Sequence, residues 1–348
     1  MKMVSDLSNP ISKNIEQWVQ EKIQSSDEFS IYQLAGDASA RKYYRIIACE
    51  KTWILMFWEP FNEANYPFLS VQKHFKLASV YVPNILAVNG QLGVLLQEDL
   101  GDLTLERKYL ENTNEKLSKA FYQQAVDEII KIHDHASVLK NQTSATEIMF
   151  DTAKFMWEMN YAKEHLITGL LDFKMDERKS AALNKVFTHF CERLHQEPKV
   201  ICHRDYHSRN IMIKLGQVYV IDFQDARLGP VQYDLVSLFK DSYVELTDDY
   251  SHSLMNYYFE NSNLKKSKNF SLEKFNTMYE LQSVQRCLKA CGSFASFMNT
   301  RQDKRYLKYL PNTLKKVARS LSHFPEYQVL MEILIESSAL NKNYESMG

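Results

Sequence analysis

At 348 residues the chain has room for about two lobes of ~150 residues and a sizeable core. Hydrophobic side chains make up 45% and charged ones 24%, an ordinary globular balance. Acidic and basic side chains number 43 and 42, a near-cancellation that argues against a nucleic-acid or membrane-surface role, since both draw on a basic excess.

Asn9-Pro10 precedes a helical pattern through Ile11, Ile15, Trp18 and Ile23. Strand-like runs follow at Phe29–Leu34, Lys42–Ala48 and Thr52–Trp58, rich in β-branched and aromatic residues. Gly36-Asp37-Ala38-Ser39 reads as the hairpin loop between the first two. A helix through Phe68, Val71, Phe75 and Leu77 comes next, then strands Asn84–Val88 and Leu92–Gln97 around the turn Asn89-Gly90. This order describes a small antiparallel lobe crossed by one helix.

After Glu98-Asp99-Leu100-Gly101 the pattern becomes helical. Glu115–His135 reads as one long amphipathic helix through Phe121, Ala125, Ile129 and Ile132. Further helices are expected over Glu147–Leu166 and Glu177–His195, and short strands at Val200–Cys202, Ile211–Ile213 and Val218–Ile221. From Gln232 onward the chain reads as helical, with breaks at Pro311 and Pro325 and a polar loop over residues 261–271. No apolar run approaches the ~18 residues that span a bilayer, and the start Met1–Asp6 leads into nothing like a signal peptide. The five cysteines are scattered; Cys287 and Cys291, four apart, read as a reduced, buried helix face. A cytoplasmic protein is expected.

The segment that carries chemistry is His203-Arg204-Asp205-Tyr206-His207-Ser208-Arg209-Asn210, followed by Ile221-Asp222-Phe223-Gln224-Asp225. Phosphoryl transfer needs a group that orients the acceptor hydroxyl and takes its proton. It also needs Mg²⁺ to neutralise the triphosphate. Asp205 on a loop after a strand supplies the first need. Asn210, five positions on, and Asp222 at the end of the next hairpin supply metal ligands. The arrangement is that of the kinase pattern H-R-D-x-x-x-x-N followed by D-F-x.

With three further stretches the chain resembles the aminoglycoside phosphotransferase superfamily. More narrowly, it is similar to the bacterial anomeric kinases of N-acetylmuramate and N-acetylglucosamine. The stretches are Gly36 to Arg45, Val82-Pro83-Asn84-Ile85-Leu86-Ala87 leading to Asp99-Leu100-Gly101, and Ile221 to Pro230 with Tyr233 to Leu238. The resemblance covers roughly residues 30 to 325. It implies a two-lobed, protein-kinase-like α+β fold, with an N-lobe over residues 1–97, a hinge at 98–101 and a C-lobe over 102–348. It also implies ATP and Mg²⁺ as cofactors, an amino-sugar acceptor, and a place in cell-wall sugar recycling. Asp205 is then the base, Asn210 and Asp222 hold Mg²⁺, and Asp234 braces the catalytic loop. The main chain of Glu98 and Leu100 meets adenine, and the loop holding Gly36 and Ser39 covers the phosphates. A small alcohol of another kind, such as an aminoglycoside, choline or homoserine, remains an alternative acceptor, and a nucleotide-binding pseudokinase is a second alternative.

One departure matters. The third strand, Ile54-Leu55-Met56-Phe57-Trp58, lacks the lysine that protein kinases place there. The second strand offers Arg41, Lys42 and Arg45 instead, and alternation puts Arg41 and Arg45 on one face and Lys42 on the other. Arg41 and Arg45 are the preferred phosphate cations. For the acceptor, Trp157, Tyr161 and His165 recur at four-residue spacing and form a candidate sugar wall, with plain core as the competing reading. His207, Arg209, Gln224 and Asp225 are candidate contacts to sugar hydroxyls. Asp225 has two alternatives: the metal shell or a pair with Arg227.

Overall fold

The computed structural model describes residues 11–24, 29–34, 41–111, 115–266, 270–344 and 346–347. Helix α1 (Lys13–Ile23) buries Ile15, Trp18 and Val19 along one stripe. A five-stranded antiparallel sheet receives that stripe. Its strands are β1 (Ser30–Gln33), β2 (Lys42–Ala48), β3 (Lys51–Phe57), β4 (Ile85–Asn89) and β5 (Val94–Glu98), in the order β1-β2-β3-β5-β4. The register pairs Tyr44 with Leu55 and Leu55 with Leu96, and these three pack with α1. One residue along, Tyr43, Met56 and Leu95 point to the opposite face and join helix α2 (Pro67–Leu77) through Phe68, Val71 and Phe75. The β4–β5 connection is longer than a two-residue Asn-Gly turn. Gly93 sits at φ +67, and a Cβ there would meet the Trp58 carbonyl at 2.1 Å, so only glycine closes this loop.

Strand β5 ends at Glu98 and helix α3 (Leu105–Glu111) begins the helical lobe. Helix α4 (Glu115–Ile130) is shorter than the helix expected through His135, because residues 131–135 widen into a π turn. Helix α5 (Thr152–Ala162) starts where the Asp151 side chain accepts from Lys154 N, and α6 (Glu177–His195) where Asp176 accepts from Lys179 N. Strand β6 (Lys199–Cys202) leads into the loop that holds Asp205, and the hairpin β7 (Ile211–Lys214) and β8 (Gln217–Val220) follows it. Strand β9 (Arg227–Pro230) pairs antiparallel with β6. Its Gly-Pro content hid it from propensity reasoning.

The remaining helices are α7 (Gln232–Phe239), α8 (Asp248–Asn261), α9 (Leu272–Arg301), α10 (Leu310–Leu321) and α11 (Gln328–Glu336). Pro311 lies in the first turn of α10 and Pro325 opens a short turn before α11, so both prolines start helices. Helix α9 is the axis of this lobe. A Cβ on Gly292 would come within 2.5 Å of Ala162 Cα, so α5 and α9 cross nearly backbone to backbone. The result is the expected two-lobed α+β fold. Among the described residues no helix is long and apolar enough to cross a membrane.

Candidate active site

A cavity of about 580 Å³ runs between the sheet and the helical lobe. At one end it is lined by Leu34, Ile54, Glu98 and Leu100, and at its centre by Asp205, Asn210 and Asp222. The far end is walled by Tyr243, Phe294, Phe297 and Tyr306.

The centre is built by hydrogen bonds that hold the loop after β6. Buried Asp234, on α7, accepts from His203 N at 2.7 Å and from Arg204 N at 3.0 Å. Its Oδ2 also lies 3.3 Å from His133 Nε2. Asp241 accepts from Ser208 N and Oγ at 2.8 and 2.6 Å. The Asn210 amide donates to the Asp205 carbonyl at 2.9 Å, and Ile221 N donates to the Asn210 carbonyl at 3.0 Å. Arg204 and Asp222 carry positive φ, +83 and +63. Strain of this kind, of order 1–3 kcal/mol per residue, persists where surrounding bonds over-determine the backbone.

Asp222 Oδ2 lies 3.4 Å from Asn210 Nδ2, and Gln224 Nε2 donates to Asp222 Oδ1 at 2.8 Å. Burial raises the Asp222 pKa, and the Asp205 and Asp225 carboxylates add to that effect against the Gln224 bond. A carboxylate open to the cleft and crowded by two others gains from a cation, and the Asp222–Asn210 oxygen pair is the hard donor set that Mg²⁺ prefers. The residues therefore fit that ion. Phe223, next in sequence, packs on Phe68 and Phe75 of α2, with ring centroids 4.9 and 5.9 Å away. That aromatic contact ties α2 to the metal-side loop, where α2 carries no carboxylate to pair with a third-strand lysine.

Arg41, Tyr43 and Arg45 all line the cavity, while Lys42 is exposed on the other face, as alternation along β2 requires. Lys42 therefore does not reach the cavity that Arg41 and Arg45 line. Arg45 is committed elsewhere: its guanidinium binds Asp99 at 2.7 Å and Asp102 at 2.9 Å, clamping β2 to the chain just past β5. Arg41 Nε donates to the Tyr66 hydroxyl at 3.2 Å, and its charge reaches Asp222. The loop holding Gly36 and Ser39 lies outside the described residues. Glu98 and Leu100 line the cavity at the expected place. The Glu98 carboxylate is tied to Asn84 and Lys214, and its backbone N–H donates to the Asn84 carbonyl at 2.8 Å.

The acceptor candidates fare differently. His207 lines the cavity, edge-on to Tyr243, and burial pushes its imidazole down to about 4. Arg209 also lines it, but its guanidinium is held by Glu106 at 2.9 Å and Tyr309 at 2.7 Å and lies 3.8 Å over the Tyr243 ring. It organises the aromatic wall. Gln224 orients Asp222, and Asp225 pairs with Arg204 at 3.0 Å; neither lines the cavity. Trp157 and Tyr161 do not line it either. Trp157 is 54% exposed, with Lys154 Nζ 3.7 Å over its ring, and Tyr161 donates to Ser296. The helix face was identified correctly, but α5 turns it toward its own neighbours.

The aromatic wall of the cavity comes instead from Tyr243, from α9 and from the turn after it. Arg286, Lys289, Ala290, Ser293, Phe294 and Phe297 recur at helical spacing along one cavity-lining face. Arg286 Nη2 and Lys289 Nζ approach Asp205 Oδ1 at 3.2 and 3.5 Å. Burial alone would raise the Asp205 pKa, but Lys289, Arg204 and Arg286 outweigh it and hold the carboxyl well below the usual range. These cations escaped the sequence reading. The available signal was two charges inside a run, Leu281 to Ala295, that carries no other charge.

A phosphotransferase enzyme family profile matches residues 30–266. The chain belongs to that family. Among characterised proteins it is similar to the N-acetylmuramate/N-acetylglucosamine kinase of Neisseria meningitidis, 27% identical over 326 residues, spanning 92% of this chain and 94% of that protein. A kinase of the same name from Pseudomonas aeruginosa is 29% identical over 303 residues, 86% of each chain. Solved structures share the fold at lower identity. A choline kinase from Streptococcus pneumoniae superposes with a TM-score of 0.53 at 15% identity, covering 89% of this chain and 98% of that one. An ADP-bound aminoglycoside phosphotransferase gives 0.55 at 12%, covering 89% and 97%.

Proposed function

We propose that this phosphotransferase moves the γ-phosphoryl group of ATP to the anomeric hydroxyl of an N-acetylated amino sugar, N-acetylmuramate or N-acetylglucosamine. The observation that carries the acceptor class is the far wall of the cavity. Tyr243, Phe294, Phe297 and Tyr306 offer ring faces for a sugar, and the cations beside them, Lys240, Arg286 and Lys289, outnumber the one carboxylate there, Asp241. A cationic acceptor such as choline or an aminoglycoside calls for the opposite sign. The names of the relatives from Neisseria and Pseudomonas support the same reading.

In this reading Asp205 accepts the hydroxyl proton as the sugar oxygen bonds to the γ-phosphorus and the β–γ bridging P–O bond breaks. The anomeric hydroxyl is more acidic than an ordinary sugar alcohol, which suits a carboxylate held at low pKa as its base. Asn210 and Asp222 would hold Mg²⁺, which neutralises the triphosphate when bound. Arg41 faces the phosphates where the third-strand lysine is missing.

The product decides the matter. A glycosyl 1-phosphate is non-reducing and releases phosphate in mild acid, whereas a 6-phosphate stays reducing and survives. Incubation with Mg²⁺·ATP and either sugar, followed by reducing-end and acid-lability assays, is expected to give the acid-labile, non-reducing product. An acid-stable, reducing product would remove the anomeric assignment, and no turnover of either sugar would remove the acceptor class.

A further inference from the structure

We propose that Lys289 and Arg286 of α9 form a carboxylate-recognition subsite beside the catalytic aspartate, selecting acceptors that carry an acidic substituent close to the reacting hydroxyl. The inference rests on the proposed acceptor class and goes beyond it by assigning residues to one substituent. Three features of the cavity lead to it.

The first is position. Arg286 and Lys289 stand on the same face of α9 as Ser293, Phe294 and Phe297, so they belong to the acceptor wall. The triphosphate side is served by Arg41, Asn210 and Asp222 from other elements.

The second is incomplete pairing. Asp205 Oδ1 is shared between Arg286 at 3.2 Å and Lys289 at 3.5 Å, and neither contact is short for a charged pair. Arg204, the third cation, is taken by Asp225 at 3.0 Å. The buried Glu158 carboxylate adds negative charge behind the cluster, but its Oε2 accepts from Gln285 Nε2 at 2.7 Å. Arg286 also donates from Nε to Ser237 Oγ at 3.1 Å. Lys289 has three donors and, among the described residues, only the long Asp205 contact to use them on. Burial, together with the Arg286 and Arg204 charges, lowers its pKa more than Asp205 and Glu158 raise it, which marks an under-compensated ammonium.

The third is what the reaction demands. To receive an acceptor proton, Asp205 must turn an oxygen to the sugar hydroxyl. That turn weakens its hold on buried Arg286 and part-buried Lys289. An anionic substituent on the acceptor restores the balance: it takes Lys289 and Arg286 as Asp205 turns to the hydroxyl. An ether-linked carboxylate two ring carbons from the anomeric position, as in N-acetylmuramate, lies at a distance that lets both contacts form together. N-acetylglucosamine, with a hydroxyl there, leaves the cations facing Asp205 alone.

The test compares these two acceptors, and N-acetylmuramate with its methyl ester, in wild type, Lys289→Met and Lys289→Arg. In wild type, kcat/KM is expected to be about 10–100-fold higher for the acid than for the ester, mostly through KM, as for loss of one partner of a desolvated charge pair. Lys289→Met should erase that ratio while affecting N-acetylglucosamine less, and Lys289→Arg should restore most of it. Equal losses on all three acceptors would overturn the subsite and assign the cations to Asp205 or to the transferring phosphoryl group. A wild-type enzyme that accepts the ester as readily as the acid would overturn it without reference to any variant. Turnover of none of the three by wild type would instead overturn the acceptor class and this subsite with it.

Discussion

Asp234→Asn isolates the brace beneath the catalytic loop. The change keeps size and shape, but a carboxamide has one acceptor oxygen where the carboxylate has two. In the native protein Oδ2 receives His203 N and Oδ1 receives Arg204 N, both away from water. Asparagine can keep one of these; its NH₂ then faces the other N–H, donor against donor. Losing one charge-assisted bond and stranding a buried donor costs about 2–4 kcal/mol. The stranded group belongs to Arg204 or His203, the two residues just before Asp205. Arg204 also sits at φ +83, which it would no longer be held to adopt. Relaxation there moves Asp205, and a displacement of ~1 Å at a reacting group is worth ~10²-fold in rate. Chemical denaturation and steady-state kinetics with ATP and the sugar check both parts. The expected result is a lowered denaturation midpoint with kcat reduced ~10²-fold and the ATP KM within a few-fold of wild type. Wild-type stability together with wild-type kcat would refute the bracing role.

Asp205→Asn removes the base at nearly constant shape, so kcat is expected to fall ~10²–10⁴-fold, with nucleotide binding by titration largely kept. Arg41→Ala is expected to raise the KM for ATP clearly more than Lys42→Ala does, because only Arg41 lines the cavity; the reverse order would move the phosphate cation to Lys42. His207 gives a pH signature. Its folded pKa is about 4 against an ordinary 6.5, so between those values the unfolded chain binds a proton that the native site refuses. Stability should therefore fall as pH drops from ~6.5 toward ~4, by ~3 kcal/mol from this group, and His207→Gln should flatten that part of the curve in denaturation series. An unchanged slope would show that the site relaxes to hold the charge.

Much of the catalytic centre was legible in the sequence because its parts are close in the chain. Asp205, Asn210 and Asp222 lie within one strand–loop–hairpin unit, and the spacing between them is set by local backbone geometry. Alternation along β2 separated Arg41 from Lys42 for the same reason, since a strand's two faces follow from residue parity alone. What parity could not report is what else reaches a face. Arg45 shares the cavity side with Arg41, yet Asp99 and Asp102, brought in by the turn past β5, take its charge.

The acceptor wall was decided by packing between distant elements. Helical spacing correctly grouped Trp157 and Tyr161 on one face of α5, but a helix can be rotated about its axis without any change in that spacing. Here Gly292 lets α9 press against Ala162, and the rotation this fixes turns the aromatic pair away from the cleft. Phe294 and Phe297 occupy the wall in their place. Arg286 meets Asp205 across 81 positions of sequence. No local pattern encodes such a contact, because it exists only once α9 has been laid across the floor of the lobe by the burial of its long apolar flank. The arrangement of the centre was therefore written in short-range spacing, and the far wall of the cavity in the long-range packing of one helix.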